Sequence, residues 1–389
     1  MFSGVCVLKN FYVSFLISVL FFLISSCSFQ GGEAVSLPDE DEMFEEIKND
    51  KEKKDLNDED DTSVNDEEPD YIDDKDNTVD DGNEADDDYQ DKNDNEVDDH
   101  EISDGEVPDD NVPDESSSID HVVIATYNTE FFFDTVCDSG NCGPGDFEPQ
   151  LTPAEYAAKV KDVADALRLI DADIVLLQEV EKQSCLDDLL YELDGIYNAA
   201  YIGEKGGPGS MNTAVVTKGK VTFTNKHLSP IPLPGGGTTT FTRAFFEVRI
   251  TYEGRKIIVF SAHFKSKSND DPARRQAEAN AALEIITATA NSNSDAIIVL
   301  GGDLNDVPGS GPINALENAP SLIRVASELP ALDQATYWYD GPIAIDHIFH
   351  SLTGAGEYIQ GTAKVIKNGP NSYKLMDSDH AALRAAFSF

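Results

Sequence analysis

The chain has 389 residues, with 28 Lys and Arg against 74 Asp and Glu, for a formal net charge of −46 at pH 7. The balance is uneven: residues 33–120 hold 40 acidic side chains against 6 Lys (6 − 40 = −34), and residues 121–389 hold 34 against 21 (21 − 34 = −13). Acidity on both sides excludes the broad basic footprint of a protein that grips many phosphates, so a polyanionic substrate would have to be held by a local basic patch and a metal.

The first segment, residues 1–26, contains an almost wholly apolar stretch over 11–24 preceded by Lys9. It is short for a membrane span and is laid out like a secretory signal. Ile24-Ser25-Ser26-Cys27 resembles a bacterial lipoprotein box, which implies cleavage before Cys27, acylation of its sulfur and a lipid anchor in the membrane. An ordinary cleaved signal or an uncleaved anchor is the alternative, and all three readings imply export. Ser28 after the cysteine, in place of Asp, favours the outer membrane of the cell envelope where the source has one.

Residues 27–120 form the second segment, an acidic tether. Its apolar residues are scattered and follow no helical or strand period, so it buries too little surface to offset the entropy of ordering, and is expected to be disordered. The 88 residues from 33 to 120 would span ~50 Å as a flexible coil, and further with charge repulsion. No stretch fits a calcium loop, since Asn77 and Val79 occupy the positions five and three before Gly82.

The third segment, residues 121–389, is the right size for one large layered core. Val122 to Tyr127 predicts a buried strand ending at Asn128. Pro153 opens a helix to about Ile170, with Val160, Val163, Ala164, Leu167 and Ile170 on one face. A strand over Asp173–Gln178 delivers Glu179, and strands follow over Thr213–Thr217, Thr242–Thr251 and Lys256–Ala262, the last two joined as a hairpin at Glu253-Gly254-Arg255. A helix is expected from Pro272 to about Asn291, then a strand over Ala296–Leu300 leading to Asp303. Strands over Ala335–Trp338, Ile343–Phe349 and Ala382–Phe387 complete the set. Short turns between neighbours favour a mixed or antiparallel sheet. Cys137 and Cys142 flank Asp-Ser-Gly-Asn, a spacing an exported protein can close as a small disulfide, which leaves Cys185 as an odd, buried thiol.

Polar signatures stand at the ends of these apolar runs: Ala125-Thr126-Tyr127-Asn128, Leu176-Leu177-Gln178-Glu179, Ser261-Ala262-His263, Gly302-Asp303-Leu304-Asn305-Asp306, Ile345-Asp346-His347 and Ser378-Asp379-His380. Strand ends are where active sites of layered α/β proteins gather. Glu179 follows a run of apolar residues where a hydrophobe would serve a purely structural role better, and its hard oxygens suit Mg²⁺, with Mn²⁺ or Ca²⁺ as alternatives. Alternation in a short extended segment would send Asp303 and Asn305 to one side, where a carboxylate positions or deprotonates water and an amide holds a phosphate oxygen. Asp306 fits a turn better. Lys265, Lys267, Arg274 and Arg275 either steer an anionic substrate or solvate a helix start.

In this order the signatures resemble the DNase I-like endonuclease/exonuclease/phosphatase superfamily, whose members hydrolyse phosphate esters with a divalent metal. The resemblance covers roughly residues 121–389 and implies a four-layer α/β/β/α sandwich of two packed mixed sheets flanked by helices. It implies that Asn128 and Asp379 join Glu179 at the metal, as ligands or orienters of its water. It also implies that Asp346 fixes and charges His380, as general base or as charged stabiliser, that His263 contacts the scissile phosphate or leaving group, and that Arg243 contacts phosphate. An acidic partner for His263 does not stand out, Asn212 being only a possible neighbour. His347 should point away from its neighbour Asp346 and serve the structure.

The reading that follows is an exported, lipid-anchored, metal-dependent phosphodiesterase, foremost an endonuclease on nucleic acid, acting as a monomer. Tyr337-Trp338-Tyr339-Asp340-Gly341 running into Ile345-Asp346-His347 looks like bacterial extracellular nucleases. A phospholipid, sphingolipid or inositol phosphate ester is the alternative substrate. An exposed aromatic hairpin would favour a membrane, and Phe131-Phe132-Phe133 is a candidate for one, although packing in the core is their more ordinary fate. A surface-binding protein without turnover is a third reading.

Overall fold

A computed structural model describes residues 120–389 apart from Pro144; the signal segment with Cys27 and the acidic tether lie outside the described residues. In chain order the elements are β1 (His121–Phe132), α1 (Pro153–Ile170), β2 (Ile174–Val180), α2 (Gln183–Glu192), β3 (Ala199–Gly203), β4 (Asn212–Thr217), β5 (Lys220–His227), β6 (Ile231–Pro232), β7 (Thr238–Thr239), β8 (Phe245–Tyr252) and β9 (Arg255–His263). Then come α3 (Pro272–Ser292), β10 (Ala296–Asp303), α4 (Gly311–Glu317), β11 (Leu322–Arg324), β12 (Tyr337–Trp338), β13 (Pro342–Ile343), β14 (Asp346–Ser351), β15 (Lys364–Ile366) and β16 (Ala382–Ser388). No helix among the described residues is long and apolar enough to cross a membrane.

Two six-stranded sheets carry the fold, ordered β15-β16-β1-β2-β4-β3 and β11-β14-β10-β9-β8-β5. Both are mixed: β1 runs parallel to β2, and β9 parallel to β10, while the flanking pairs are antiparallel. Side-chain alternation divides each strand between two cores. Val122 and Ile124 of β1, Leu176 of β2, Val259 of β9, Val299 of β10, Ile348 of β14 and Leu383 of β16 meet between the sheets. The opposite face of the first sheet, with Ala125, Val175 and Leu177, packs on α1 and α2. That of the second, with Ile258, Phe260, Ile298 and Leu300, packs on α3 and α4. The result is the expected order of helix, sheet, sheet and helix.

The helix from Pro153 to Ile170 starts and stops where its sequence signals say. Thr152 accepts from the Glu155 amide at 3.3 Å, and the Glu155 carboxylate accepts from the Thr152 amide at 2.7 Å. This reciprocal cap is worth ~1 kcal/mol. Asp171, at φ 47°, ends the helix in a left-handed turn.

The site end of the fold departs from simple strands. β1 and β2 run on past Asn128 and Gln178 to Phe132 and Val180, with a register shift between Asn128 and Phe132 and another between Leu177 and Val180. The expected strand over Thr242–Thr251 begins at Phe245, and the one over Ile343–Phe349 is split between β13 and β14. Cys137 and Cys142 are bridged, and Cys185 is free and buried.

Candidate active site

Alternation places Thr126 and Asn128 of β1, Ser261 and His263 of β9, Gly301 and Asp303 of β10 and Asp346 of β14 on the faces that look across to the other sheet. The parallel strands β1, β2, β9 and β10 all end here, and β14 begins here, with Asp303 paired to Asp346 and to His263 across the ladder. The polar residues therefore line a cleft where the intersheet core opens at the carboxyl ends of the parallel strands.

Glu179 reaches this cleft against its own alternation. Val175 and Leu177 face α1, so a regular strand would send Glu179 after them, and Val180 takes the next place in that core instead. One extra residue has been inserted, and Glu179 stands at φ 64°, a left-handed conformation uncommon outside Gly, Asn and Asp. The turned carboxylate accepts from the Phe131 amide through Oε2 at 3.1 Å and from Asn128 Nδ2 through Oε1 at 3.2 Å.

Asn128 is fully buried and joins the two sheets. Its Oδ1 accepts from the Glu130 amide at 3.0 Å, which fixes the orientation of the amide group, and its Nδ2 lies 3.2 Å from Asp303 Oδ2 as well as from Glu179. The nitrogen, not the oxygen, faces the carboxylates. In this arrangement Asn128 aligns the carboxylates, and direct ligation through its oxygen would require the amide to turn.

Asp303 is 2% exposed. Its Oδ1 accepts from the Asn305 amide at 2.8 Å, and its Oδ2 lies 3.3 Å from Asn305 Nδ2 and 3.5 Å from His263 Nε2. Asn305 and Asp303 thus come together, through an Asx-type turn with Asn305 at φ 54° and not through strand alternation. Burial above all, then the neighbouring Asp346 charge, pushes the Asp303 carboxyl up to about 7 against the pull of His380.

His380 follows a sharp connection in which the Ser378 hydroxyl donates to the Asn128 carbonyl at 2.7 Å and accepts from the His380 amide at 3.0 Å. Its Nδ1 is 2.8 Å from Asp346 Oδ2, which leaves Nε2 in the cleft, 4.0 Å from Asp303 Oδ2 and 3.7 Å from Asp379 Oδ1. Burial opposes a charge on this ring, yet Asp346, with Asp303 and Asp379, outweighs it and pushes the imidazole up to about 10. Asp346 is itself positioned by Thr336, whose hydroxyl accepts from the Asp346 amide at 3.2 Å.

His263 is as buried as His380 but has the opposite balance of neighbouring charge. It is fully desolvated, its Nδ1 has no partner, and burial, followed by the cations Arg243 and His380, holds it well below the ordinary imidazole range. Its acidic neighbours are Asp303 and, at 4.0 Å, Glu179. Asn212 is engaged elsewhere, donating to the Glu181 carbonyl and accepting from the Lys205 amide. Arg243 sits beside these groups: burial lowers its affinity for a proton, and the Glu179 and Asp303 charges raise it. Asp379, more exposed than Glu179 or Asp303, approaches the same His380 Nε2, and its amide is tied to Glu130 Oε2 at 2.6 Å.

Other candidates fall outside the cleft chemistry. His347 points away from Asp346 and lies 2.9 Å from the Asp306 carbonyl. Arg275 is buried against Asp306 and Asp270, Arg274 donates to the Thr240 carbonyl, Lys265 donates to the Ser266 and Ser268 carbonyls and Lys267 pairs with Asp306, so all four members of the basic cluster have partners within the protein. Asp134, Asp138 and Glu181 form a separate acidic group, with Lys182 seated among them, 2.8 Å from Asp134. Tyr337 was not anticipated at the site: it bridges to the His380 backbone and sets its ring 4.8 Å from the imidazole. Its place in an aromatic run beside Asp346 was the only available signal.

A divalent cation fits the donor set. Glu179, Asp303 and Asp379 offer hard oxygens, and among the described residues the cleft gathers no tight cluster of three His, Cys, Asp or Glu ligand atoms.

The model of the Endonuclease/Exonuclease/phosphatase family matches residues 125–380, from the strand that carries Asn128 to His380 itself. The solved structure of D. rerio TDP2 complexed with single strand DNA product is similar at 16% identity, with a TM-score of 0.50, covering 69% of this chain and 99% of that one. Truncated Caenorhabditis elegans TDP2 is similar at 17% identity and a TM-score of 0.49, covering 69% and 98%. The endonuclease/exonuclease/phosphatase from Bacteroides vulgatus is similar at 15% identity and 0.49, covering 69% and 99%. Likeness at this level speaks to the fold alone. No curated protein matches the chain.

Proposed function

Because this chain belongs to the Endonuclease/Exonuclease/phosphatase family, whose members are phosphoester hydrolases and generally use divalent metal ions, we propose that it is an exported, metal-dependent phosphodiesterase that cleaves nucleic acid. The observation that carries the reading is the array Asp346–His380–Asp303, with Glu179 turned into the same cleft by a left-handed residue.

A phosphodiester resists hydrolysis because its charge repels the nucleophile and grows on the leaving oxygen. A divalent cation held by Glu179, with Asp379 beside it, would neutralise that charge. The chain's own groups supply the rest. His380, kept cationic by Asp346, directs Nε2–H at a phosphate oxygen. Asp303, poised near neutrality and held by Asn128 and Asn305, orients water and accepts its proton. Neutral His263 and the Arg243 guanidinium stand beside these carboxylates, the one able to hydrogen-bond without adding charge, the other to hold a phosphate oxygen.

Nucleic acid is favoured by the segment from Tyr337 to His347, which resembles bacterial extracellular nucleases. A lipid phosphoester is the second reading, favoured by Phe131 and Phe147, which are 39% and 56% exposed beside Glu179. Phe132 and Phe133 are in the core. Release of acid-soluble product from plasmid, single-stranded DNA and RNA, with Mg²⁺, Mn²⁺ or chelator, tests the reading beside His380→Ala. Metal-dependent cleavage lost in the variant supports a nuclease. No cleavage by folded protein that hydrolyses phosphocholine lipids or inositol phosphates would replace it with the lipid reading. Export with a lipid anchor predicts fatty-acid labelling that Cys27→Ala removes.

A further inference from the structure

Trp338, Tyr339 and Tyr373 form an aromatic surface next to the cleft that the chemistry above does not use. β12 and β13 make a short hairpin in which Tyr337 packs on His380, and Trp338 follows it directly in the chain. Trp338 and Tyr339 are 57% and 63% exposed. The Trp338 ring lies 5.4 Å from Tyr373, and Lys367 Nζ lies 4.9 Å over the other ring of that pair. The loop bearing Tyr373 is held from within: the Asn368 amide donates to the Lys374 carbonyl at 2.8 Å, and the Met376 amide to Asn368 Oδ1 at 2.7 Å. An exposed Trp338 ring set against half-buried Tyr373, whose loop is braced, is a platform, not a frayed edge.

The charge around the platform selects its occupant. Residues 358–376 contain Lys364, Lys367 and Lys374 and no Asp or Glu, in a chain otherwise dominated by acid. Burial and the Asp379 charge push the Glu130 carboxyl up, and exposed Lys374 is close enough to oppose them. Aromatic faces interleaved with Lys beside a phosphoester site match a strand that offers bases to stack and phosphates to pair. A paired duplex hides those base faces. The hairpin tip carries Asp340, exposed between Tyr339 and Gly341, which is ill suited to insertion into hydrocarbon.

We infer that Trp338 and Tyr373, flanked by Lys367 and Lys374, form a stacking subsite for an unpaired base adjoining the scissile phosphate, so that single-stranded nucleic acid is the preferred substrate class. The inference rests on the nucleic-acid reading, and its test separates the two. Trp338 is the chain's single tryptophan, so intrinsic tryptophan fluorescence reports this surface alone. His380→Ala protein, titrated with a short oligothymidylate in chelator, should show saturable quenching. It should show much weaker quenching with a blunt duplex, and no blue shift with phosphatidylcholine–phosphatidylglycerol vesicles. Tyr373→Ala in an otherwise active chain should raise KM for the oligonucleotide roughly 5- to 100-fold and leave hydrolysis of bis(p-nitrophenyl) phosphate unchanged. Trp338→Phe should fall between it and wild type.

Oligonucleotide cleavage with unchanged fluorescence and unchanged KM in Tyr373→Ala would overturn the subsite while leaving the nuclease reading in place. A vesicle-induced blue shift without oligonucleotide quenching would assign the surface to lipid. Hydrolysis of the small diester with no action on any oligonucleotide would sink the nuclease reading and the subsite with it.

Discussion

Asp346 Oδ2 lies 2.8 Å from His380 Nδ1, and Asp346 Oδ1 has no hydrogen-bond partner in the protein, so this carboxylate serves the ring alone. The pair fixes which nitrogen faces the cleft and holds the ring in its charged form. Asp346→Asn should therefore lower kcat by ~10²- to 10⁴-fold with KM little changed. In an NMR titration, the wild-type His380 ring should stay protonated from pH 6 to 8.5, since it is pushed up to about 10. The Asn variant should begin to titrate within that range. A full loss of protonation in wild-type protein by pH 8 would remove the charged-imidazole role.

Glu179 is held by the Phe131 amide and Asn128 Nδ2, but among the described residues no cation neutralises it at hydrogen-bonding distance; His263 Nε2, 4.0 Å away, is kept neutral. Glu179→Gln preserves shape and removes the charge a divalent ion needs. Millimolar Mg²⁺ should raise the thermal midpoint of the wild type relative to chelator, by mass action on the folded state. The variant should lose that increment and at least ~100-fold in activity. An equal Mg²⁺ increment in both proteins would place the ion elsewhere.

The sequence announced the strands that carry Asn128, Glu179, His263 and Asp303, because each is an apolar run followed by a polar residue, although the first two run on past it to Phe132 and Val180. The helix from Pro153 to Ile170 was legible to its last residue, since Thr152, Pro153 and Glu155 form a cap and the apolar face keeps its period. The way Glu179 enters the cleft was not legible. Period two sends it toward α1, and only the inserted residue and its positive φ reverse that, a backbone event with no mark in composition. Asn305 meets Asp303 by a turn for the same reason. Edge elements with weak patterns, such as β3, β5, β15 and α2, escaped because their burial depends on neighbours distant in sequence. The roles of Asn128 and Tyr337 depend on which atom faces the cleft, which is decided only by the Glu130 amide and the His380 backbone.

Gly302 pairs with Ala262 in the ladder between β9 and β10. A Cβ there would stand 1.9 Å from the Ala262 carbonyl oxygen, so the ladder that aligns Asp303 with His263 tolerates no side chain. Gly302→Ala should cost about 3 kcal/mol or more in urea unfolding and reduce activity in whatever protein remains folded. A loss below ~1 kcal/mol would mean that the strands part easily.

His350 gives the fold a defined sensitivity to acid. Both of its ring nitrogens are buried without partners, near Phe387 between the sheets, and burial pushes the imidazole down to about 4 from an ordinary 6.5. His347, also buried, is pushed down to about 4 by the same cause. In the unfolded chain such a ring takes up a proton as pH falls through 6.5, and in the folded chain not until about 4. Stability from this source is therefore complete above pH 6.5 and falls between 6.5 and 4, by ~3 kcal/mol at most for each ring. His350→Leu breaks no hydrogen bond, so at pH 7.5 its unfolding free energy should match wild type within ~1 kcal/mol. At pH 5 it should exceed wild type by ~2 kcal/mol. Comparing the variant with wild type at each pH cancels the carboxylates that titrate in the same range. Parallel stability curves across pH 7.5 to 4.5 would show that the ring is hydrated or partnered in solution.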